Sequence, residues 1–417
     1  MAYEIQRRTV LKVLVATTVL SSVSLIGAQA QEETIKIGFV APLSGAQQIV
    51  GAPLLFGAQT AIDQANENGG VAGRKLELVV RDDKGDPTQS VAAVRELVGS
   101  GVNLIAGVPL TATALAVAGI IESVDGVYIA TGTGEESLTH ELYTPHFFTT
   151  AVGNYTRNSA GAKVIAEHYP DVTTWTGIVP DISIGHGSWA RMAAGLKKHY
   201  AEAGKEITIL DPVVAKYGST DFKNQIVALM SSPATGVHSV LFGNDGITFF
   251  QQASQFGLDK KFHAITEQAL DLDLPKALKK NMPQNTWTFS FWNPAAFPDN
   301  PEAQGLLEAH KKATGDNNPH AFMALSHTAI KAYAEALRAT GGDTTTDAVI
   351  KALENVEFNS AMGPADFRNE DHQLVASGVY FNTVAADNEQ GWEIKEILAV
   401  GYGPLMGPAT PGQKLEF

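Results

Sequence analysis

From Thr34 onward the apolar positions change period at short intervals. TIKIGFVAPLSG (34–45) alternates and then breaks at Pro42 and Gly45, the pattern of a strand running into a loop. Leu54, Leu55, Ala58, Ala61, Ile62 and Ala65 then recur at helical spacing over 51–68, and Asn68-Gly69-Gly70 ends that run. KLELVVRDD (75–83) predicts a second strand. Asp86-Pro87 opens a helix through Val98, with the aspartate as N-cap and the proline in the first turn. A strand over 103–106, a helix over 111–123 and a strand over 127–130 follow. The alternation then restarts. Strands are expected over 173–181, 206–214, 237–243 and 262–266, with helices over 187–203, 221–230 and 246–257. The chain turns helical over 302–314, 319–340 and 345–355, and closes with strand-like 378–382 and 393–400. Alternation on this scale specifies βαβ units. The pattern therefore predicts an α/β protein with two parallel sheets, joined through the 150–160 region.

A chain of 417 residues exceeds what one compact core organises, so the two series are expected to form two lobes. The first thirty residues stand apart. Arg7-Arg8 and Lys12 precede an apolar stretch over 13–26 that is diluted by threonines and serines, and Ala28-Gln29-Ala30 gives a small-x-small cleavage pattern. Residues 1–30 are expected to be an export signal, too short for a membrane span. RRTVLK is similar to the twin-arginine export motif, with an ordinary secretory signal as the alternative. Cleavage near Ala30 leaves 27 basic and 43 acidic residues, a net charge of −16. So acidic a chain is unsuited to binding nucleic acid. The absence of cysteine excludes disulfides, thiolate metal sites and cysteine nucleophiles.

Four blocks carry a resemblance: GFVAPLSG (38–45), GGVAGRKLELVVRDDKGDP (69–87), IVPDISIGHGSWARMAAGLKK (178–198) and MGPADFRNEDHQL (362–374). They resemble the substrate-binding proteins of branched-chain amino acid ABC importers, which are periplasmic binding proteins of type I fold in the Leu/Ile/Val-binding family. The likeness runs over essentially the whole chain after the leader. It implies two Rossmann-like lobes with parallel sheets, joined by three hinge crossings near 150, 291 and 376. Lobe 1 would comprise 34–150 plus 292–376, and lobe 2 would comprise 151–291 plus 377–417. A ligand would be closed in the cleft between them. The resemblance further implies a periplasmic protein without cofactor or chemistry, which delivers its ligand to an importer permease and its ATPase.

Open α/β sheets place ligands beyond the carboxyl ends of their strands. That rule alone points to the segments after Val40, Ala106, Ala130, Val179, Phe242 and Ile265. After Ala106, VPLTATAL starts a helix at Thr111. With Thr111 as N-cap, the free N–H groups and the threonine hydroxyls make an anion seat; a purely structural cap is the other reading. The resemblance implies that a ligand carboxylate lies there, around Thr111, Ala112 and Thr113. After Ala130, TGTGEES offers the Thr133 hydroxyl, with Gly132 and Gly134 allowing close backbone approach, or else a plain glycine turn. No GxGxxG or P-loop pattern accompanies it, so nothing indicates a nucleotide.

Glu267 ends an apolar strand, a costly place for a charge unless it is paired. The resemblance assigns it to a ligand ammonium, with Asp245 assisting where the family often has an aromatic. A solvated loop acid is the alternative for both. Two departures from the family pattern stand out. A family tyrosine aligns with Val50, and a family tyrosine–glycine pair is here Ile184-Gly185. Gln47, Gln48, Trp189, Trp292 and Phe322 are then candidates to line the cleft beside Ile184. The spacing of Trp189 suits a core position better, and Phe322 matches a side-chain-pocket position of the family. These departures open the ligand class from leucine or valine to aromatic and other apolar carboxylates, while the retained Glu267 favours an amine.

An enzyme on this scaffold has little support. GHGSW (185–189) departs from G-x-S-x-G, the eleven histidines form no HExxH pair, and DDKGD (82–86) is too short for a calcium loop. His140 and His146 are expected at the surface. A ligand-sensing subunit would share the same cleft.

Overall fold

The computed structural model describes residues 34–415, so the expected export signal at 1–30 lies outside the described residues. The first series runs β1 (Ile35–Ala41), α1 (Gln48–Glu67), β2 (Leu76–Asp82), α2 (Pro87–Gly99), β3 (Leu104–Gly107), α3 (Thr111–Ile121), β4 (Val127–Ala130) and β5 (Phe147–Thr149). The second runs α4 (Asn154–His168), β6 (Thr174–Pro180), α5 (Ser183–Glu202), β7 (Thr208–Ile209), β8 (Val213–Ala215), α6 (Lys223–Ser231), β9 (Gly236–Ser239), α7 (Gly243–Ser254), α8 (Leu258–Lys261), β10 (Ala264–Glu267), α9 (Asp273–Leu278) and β11 (Thr286–Ser290). Then follow α10 (Pro301–Thr314), α11 (Phe322–Ala339), α12 (Thr346–Leu353), β12 (Phe358–Ser360), β13 (Gly363–Phe367), β14 (Leu374–Val375), β15 (Ser377–Ala385) and β16 (Trp392–Gly401).

Five parallel strands in the order β2-β1-β3-β4-β5 form the first sheet. β1 shows why its sequence is almost continuously apolar. Ile35, Ile37, Phe39 and Ala41 pack toward α1 and α11, while Val40 packs with Val94, Leu97 and Ile105 on the other face. A parallel strand covered on both faces has no polar side to alternate with. α11 returns to this sheet after the second series. Its Tyr333 hydroxyl lies 2.8 and 2.9 Å from the carbonyl oxygens of Ile105 and Val127.

The second sheet has eight strands, in the order β16-β15-β11-β10-β9-β6-β7, with β8 also paired to β6. It is not wholly parallel as expected, because β15 and β16 add antiparallel to β11 at one edge. The single strand expected over 206–214 is two short ones. Asp211-Pro212 separates them, and proline cannot donate to the ladder. Both β7 and β8 still pair with β6. A small antiparallel sheet, β12-β13-β14, completes the strands among the described residues.

The chain passes from the first sheet to the second between Thr149 and Asn154, back after Ser290, and over again between Val375 and Ser377. Contacts place the carboxyl-end loops of the two sheets against each other. Glu136, which follows β4, pairs with Arg191 of α5, and Lys276 of α9 reaches the carbonyl of Asn318 at 3.4 Å and Asp316 at 3.7 Å. Among the described residues no helix is long and apolar enough to cross a membrane.

Candidate functional site

On the first lobe the site begins with a backbone turn. Gly107 has φ +105°, and a Cβ there would lie 2.2 Å from the Val40 carbonyl oxygen. Val108 follows at φ +46°, a conformation that costs a β-branched residue roughly 1–3 kcal/mol. It is held from both sides, because its N–H donates to Val40 O at 2.6 Å and its carbonyl accepts from the Tyr128 hydroxyl at 3.0 Å. This turn aims the start of α3. The N-cap is Leu110 and not Thr111, which is instead the first helical residue. The first helical bond runs from Ala114 N–H to Leu110 O, so the N–H groups of Thr111, Ala112 and Thr113 precede the ladder. The Thr113 side chain is fully buried and its hydroxyl donates to Leu110 O, which leaves only its backbone for a ligand.

The Thr111 hydroxyl points elsewhere and lies 3.1 Å from that of Thr133. Thr133 is buried in the turn after β4 and also accepts the Glu135 N–H. The flanking glycines answer close approaches. A Cβ on Gly132 would meet Pro109 at 2.6 Å, and one on Gly134 would meet Val152 O at 2.7 Å.

On the second lobe Glu267 ends β10 and is fully buried, with Thr288 of β11 as its register partner. Its Oε2 accepts from the N–H groups of Ala269 and Leu270 at 2.8 and 2.7 Å, while Oε1 is buried with no partner. Burial pushes this carboxyl up to about 7, against the pull of its hydrogen bonds and of the Arg157 guanidinium. Asp271, four residues on at φ +48°, is likewise pushed up to about 7, by burial and by the neighbouring Glu267 charge, and its Oδ1 has no partner. Arg157, in the first turns of α4, donates to Asn154 Oδ1 at 3.3 Å and lies 5.0 Å from the centre of the Phe291 ring, and its Nε has no partner. Phe291 in turn lies 5.8 Å from half-buried Phe322 of the first lobe.

Further along the same edge, Ile184 is exposed in the first turn of α5, and exposed Tyr217 after β8 lies 5.5 Å from Phe242. The second-lobe edge thus has an apolar part at Tyr217, Phe242 and Ile184 and a charged part at Glu267, Asp271 and Arg157. Such a pair of walls can hold a small carboxylate at one side and a cationic or apolar group at the other. No group of three or more His, Asp or Glu among the described residues is placed to hold a metal.

The sequence model of the periplasmic binding proteins matches residues 34–389. The chain belongs to the periplasmic binding protein family. A leucine-, isoleucine-, valine-, threonine- and alanine-binding protein of Pseudomonas aeruginosa is 28% identical over 347 residues, which are 80% of this chain and 86% of that one. The crystal structure of a protein with the same name from Brucella ovis, in a closed conformation, superposes with a TM-score of 0.79 at 20% identity, covering 92% of this chain and 99% of that one. A solute-binding protein from Rhodopseudomonas palustris in complex with 3,4-dihydroxybenzoic acid gives a TM-score of 0.71 at 21% identity, covering 88% and 96%.

Within this periplasmic binding protein several expected residues are engaged in hydrogen bonds, packed in a core or exposed. Asp245 accepts the Gly218 N–H at 2.7 Å and so pins the loop that carries Tyr217. Trp292 is buried in the first core and Trp189 in the second lobe. Gln47 and Gln48 are exposed at the start of α1. His140 is not a surface residue: it is buried, with Nδ1 2.9 Å from the Thr410 hydroxyl of the C-terminal segment, and His146 is half-buried against Gly126 O. Sequence reasoning missed Arg157, Asp271 and the Glu136–Arg191 pair. Arg157 left one signal, a lone cation in a helix turn whose neighbours Thr156, Asn158, Ser159 and Ala160 are small and buried.

Proposed function

We propose that this chain is the extracytoplasmic solute-binding protein of an ABC importer. It captures an amino acid or related small carboxylate by lobe closure and hands it to a permease and its ATPase. The observation that carries this reading is the pair of hydroxyls at Thr111 and Thr133 beside the free N–H groups of α3, a ready carboxylate seat. The names of the Pseudomonas and Brucella proteins support an aliphatic amino acid. Lobe 1 comprises 34–150 with 292–376, lobe 2 comprises 151–291 with 377–417, and the protein works in the periplasm after removal of 1–30.

A second reading, an aromatic carboxylate, is favoured by Tyr217 leaning on Phe242 where family aromatics are missing, and by the dihydroxybenzoate held by the Rhodopseudomonas protein. A thermal-shift screen of the twenty amino acids and a set of benzoic and phenylpropanoic acids tests both. A true ligand at about a hundred times its Kd adds about 2.7 kcal/mol of stability, a clear rise in midpoint. A screen in which no amino acid and no carboxylate raises the midpoint sinks the capture reading.

A further inference from the structure

We propose that the Glu136–Arg191 pair is a closure strap. It holds the two lobes together without a ligand, and so sets how many molecules are closed before anything enters the cleft. The inference does not depend on what the cleft captures.

The two partners belong to bodies that are each rigid by themselves. Glu136 opens the short 3-10 turn Glu136–Leu138 after β4, and Leu138 is buried in the first-lobe core with Tyr128 and Phe147. Arg191 stands on α5, whose Met192 and Leu196 are buried in the second-lobe core. Gly195 of α5 packs so closely on α4 that a Cβ there would lie 2.9 Å from the Ala162 side chain. Neither partner can follow the other when the lobes turn about the crossings. In the arrangement described above, Arg191 meets the carboxylate through two nitrogens. Its Nε donates to Oε2 at 2.9 Å and to Oε1 at 3.2 Å, and its Nη2 also donates to Oε2. The side chains of Glu136 and Arg191 are only 8% and 20% exposed, so solvent and salt screen the pair little.

Glu136 has a second task beside the first crossing. The N-cap of α4 is Gly153, which has no side chain to offer the free N–H groups. The first lobe satisfies them instead. Asn154 N–H donates to Gly134 O at 3.3 Å, and Tyr155 N–H donates to Glu136 Oε1. The Tyr155 bond anchors the carboxylate next to the pivot, while Arg191 is the arm that a hinge rotation carries away. Without that arm a buried carboxylate loses its cation, and opening relieves the loss by admitting water. Lys276 and Asp316 also pair across the lobes, at 3.7 Å, but they are 41% and 44% exposed and contribute correspondingly little. A ligand thus meets a protein whose closed fraction the strap has already raised, and its apparent affinity scales with that fraction.

Small-angle X-ray scattering of the exhaustively dialysed protein, with no ligand added, tests the strap. The wild type should scatter as the compact arrangement, with a radius of gyration near the roughly 21 Å of a compact chain of this length. Arg191→Met should move the open-to-closed ratio about tenfold or more toward open and lengthen that radius by about 1 Å. Glu136→Gln keeps an acceptor for Tyr155 but loses the charge, and should open in the same way. Arg191→Lys keeps a cation without the fork and should fall between. Lys276→Met should stay with the wild type. A thermal melt checks that each variant folds; if Arg191→Met does not, Arg191→Lys and Glu136→Gln read the same shift. A wild type that is already open overturns the inference. So does a folded Arg191→Met or Glu136→Gln variant as compact as the wild type. Equal opening by Lys276→Met and Arg191→Met overturns it too, because closure would then reflect general surface charge and not this pair.

Discussion

The hydroxyl oxygens of Thr111 and Thr133 lie 3.1 Å apart although the residues follow different strands, β3 and β4. Two hydroxyls in contact use one proton between them, and Thr133 already accepts the Glu135 N–H. One hydroxyl proton is therefore left to donate outward, next to the N–H groups at the start of α3.

Thr133→Val removes that arrangement while keeping the side-chain volume. A hydrogen bond to a charged group is worth about 1.5–3 kcal/mol, so affinity for any carboxylate ligand should fall roughly tenfold to a hundredfold. Thr111→Ser keeps the hydroxyl and should stay close to the parent. Calorimetric titration of the stabilising ligand reads both variants. Unchanged affinity in Thr133→Val would assign the carboxylate to another place.

Gly57 sets how closely α1 and α11 approach. A Cβ there would stand 1.9 Å from the Met323 carbonyl oxygen and 2.7 Å from its carbon, and helix backbone cannot yield as a side chain can. Gly57→Ala should therefore cost about 1–3 kcal/mol in urea unfolding. Gly119→Ala is the control. It lies in exposed α3 surface with nothing within 4 Å, so the change should stabilise by about 0.4–1 kcal/mol. The same sign for both would contradict this account of the α1–α11 contact.

The strand–helix alternation is legible because β1, β3, β4 and β6 are covered on both faces and read as apolar runs. The elements that escape share a cause. In α4, Thr156, Asn158, Ser159, Ala160 and Gly161 are buried, and the helix packs so closely that a Cβ on Gly161 would enter the Phe289 ring, so small polar residues stand where an apolar stripe would be sought. In β11 the buried positions include Thr286 and Thr288, so polarity again misleads. The strand-end rule points to Thr111, Thr133 and Glu267, which the fold sets at or beyond the carboxyl ends of β3, β4 and β10. It fails for Arg157 and Asp271, whose meaning arises only when α4 and the turn after β10 come together. The same rule singles out Asp245, whose carboxylate accepts the Gly218 N–H of the loop that carries Tyr217.

That loop gives a separate expectation. The Asp245 carboxylate accepts the Gly218 N–H at 2.7 Å, one residue from Tyr217. Asp245→Ala should speed amide exchange at Gly218 and weaken aromatic ligands, whereas Asp245→Asn, which keeps an acceptor, should restore slow exchange. Tyr217→Ala should weaken aromatic ligands without faster exchange. If Asp245→Ala leaves exchange at Gly218 unchanged, Asp245 does not anchor the loop.

His238 governs part of the acid sensitivity. It is fully buried, with Nδ1 2.7 Å from the Thr266 hydroxyl and its ring 5.7 Å from Phe289 and 6.4 Å from Trp189. Burial pushes it from 6.5 down to about 3, and the Arg157 charge acts in the same direction. Below pH 6.5 the unfolded chain takes a proton that the folded protein refuses. Stability from this residue is therefore present above 6.5 and is lost as pH falls toward 3, on the order of 1 kcal/mol per pH unit. Glu267 and Asp271 act oppositely. Raised to about 7, they bind protons in the folded state that the unfolded chain has released, so their contribution is present in acid and is lost as pH rises through about 7. The wild-type curve mixes both signs, and only a difference between variants isolates one. His238→Gln keeps a partner for Thr266 and cannot take up the proton. Relative to the wild type it should gain about 2–3 kcal/mol between about pH 6.5 and pH 4.5 in urea unfolding, whatever its penalty at neutral pH. Parallel stability curves for the two proteins would mean that His238 titrates in the folded state as it does in the unfolded one, and that its apolar cage does not keep it neutral.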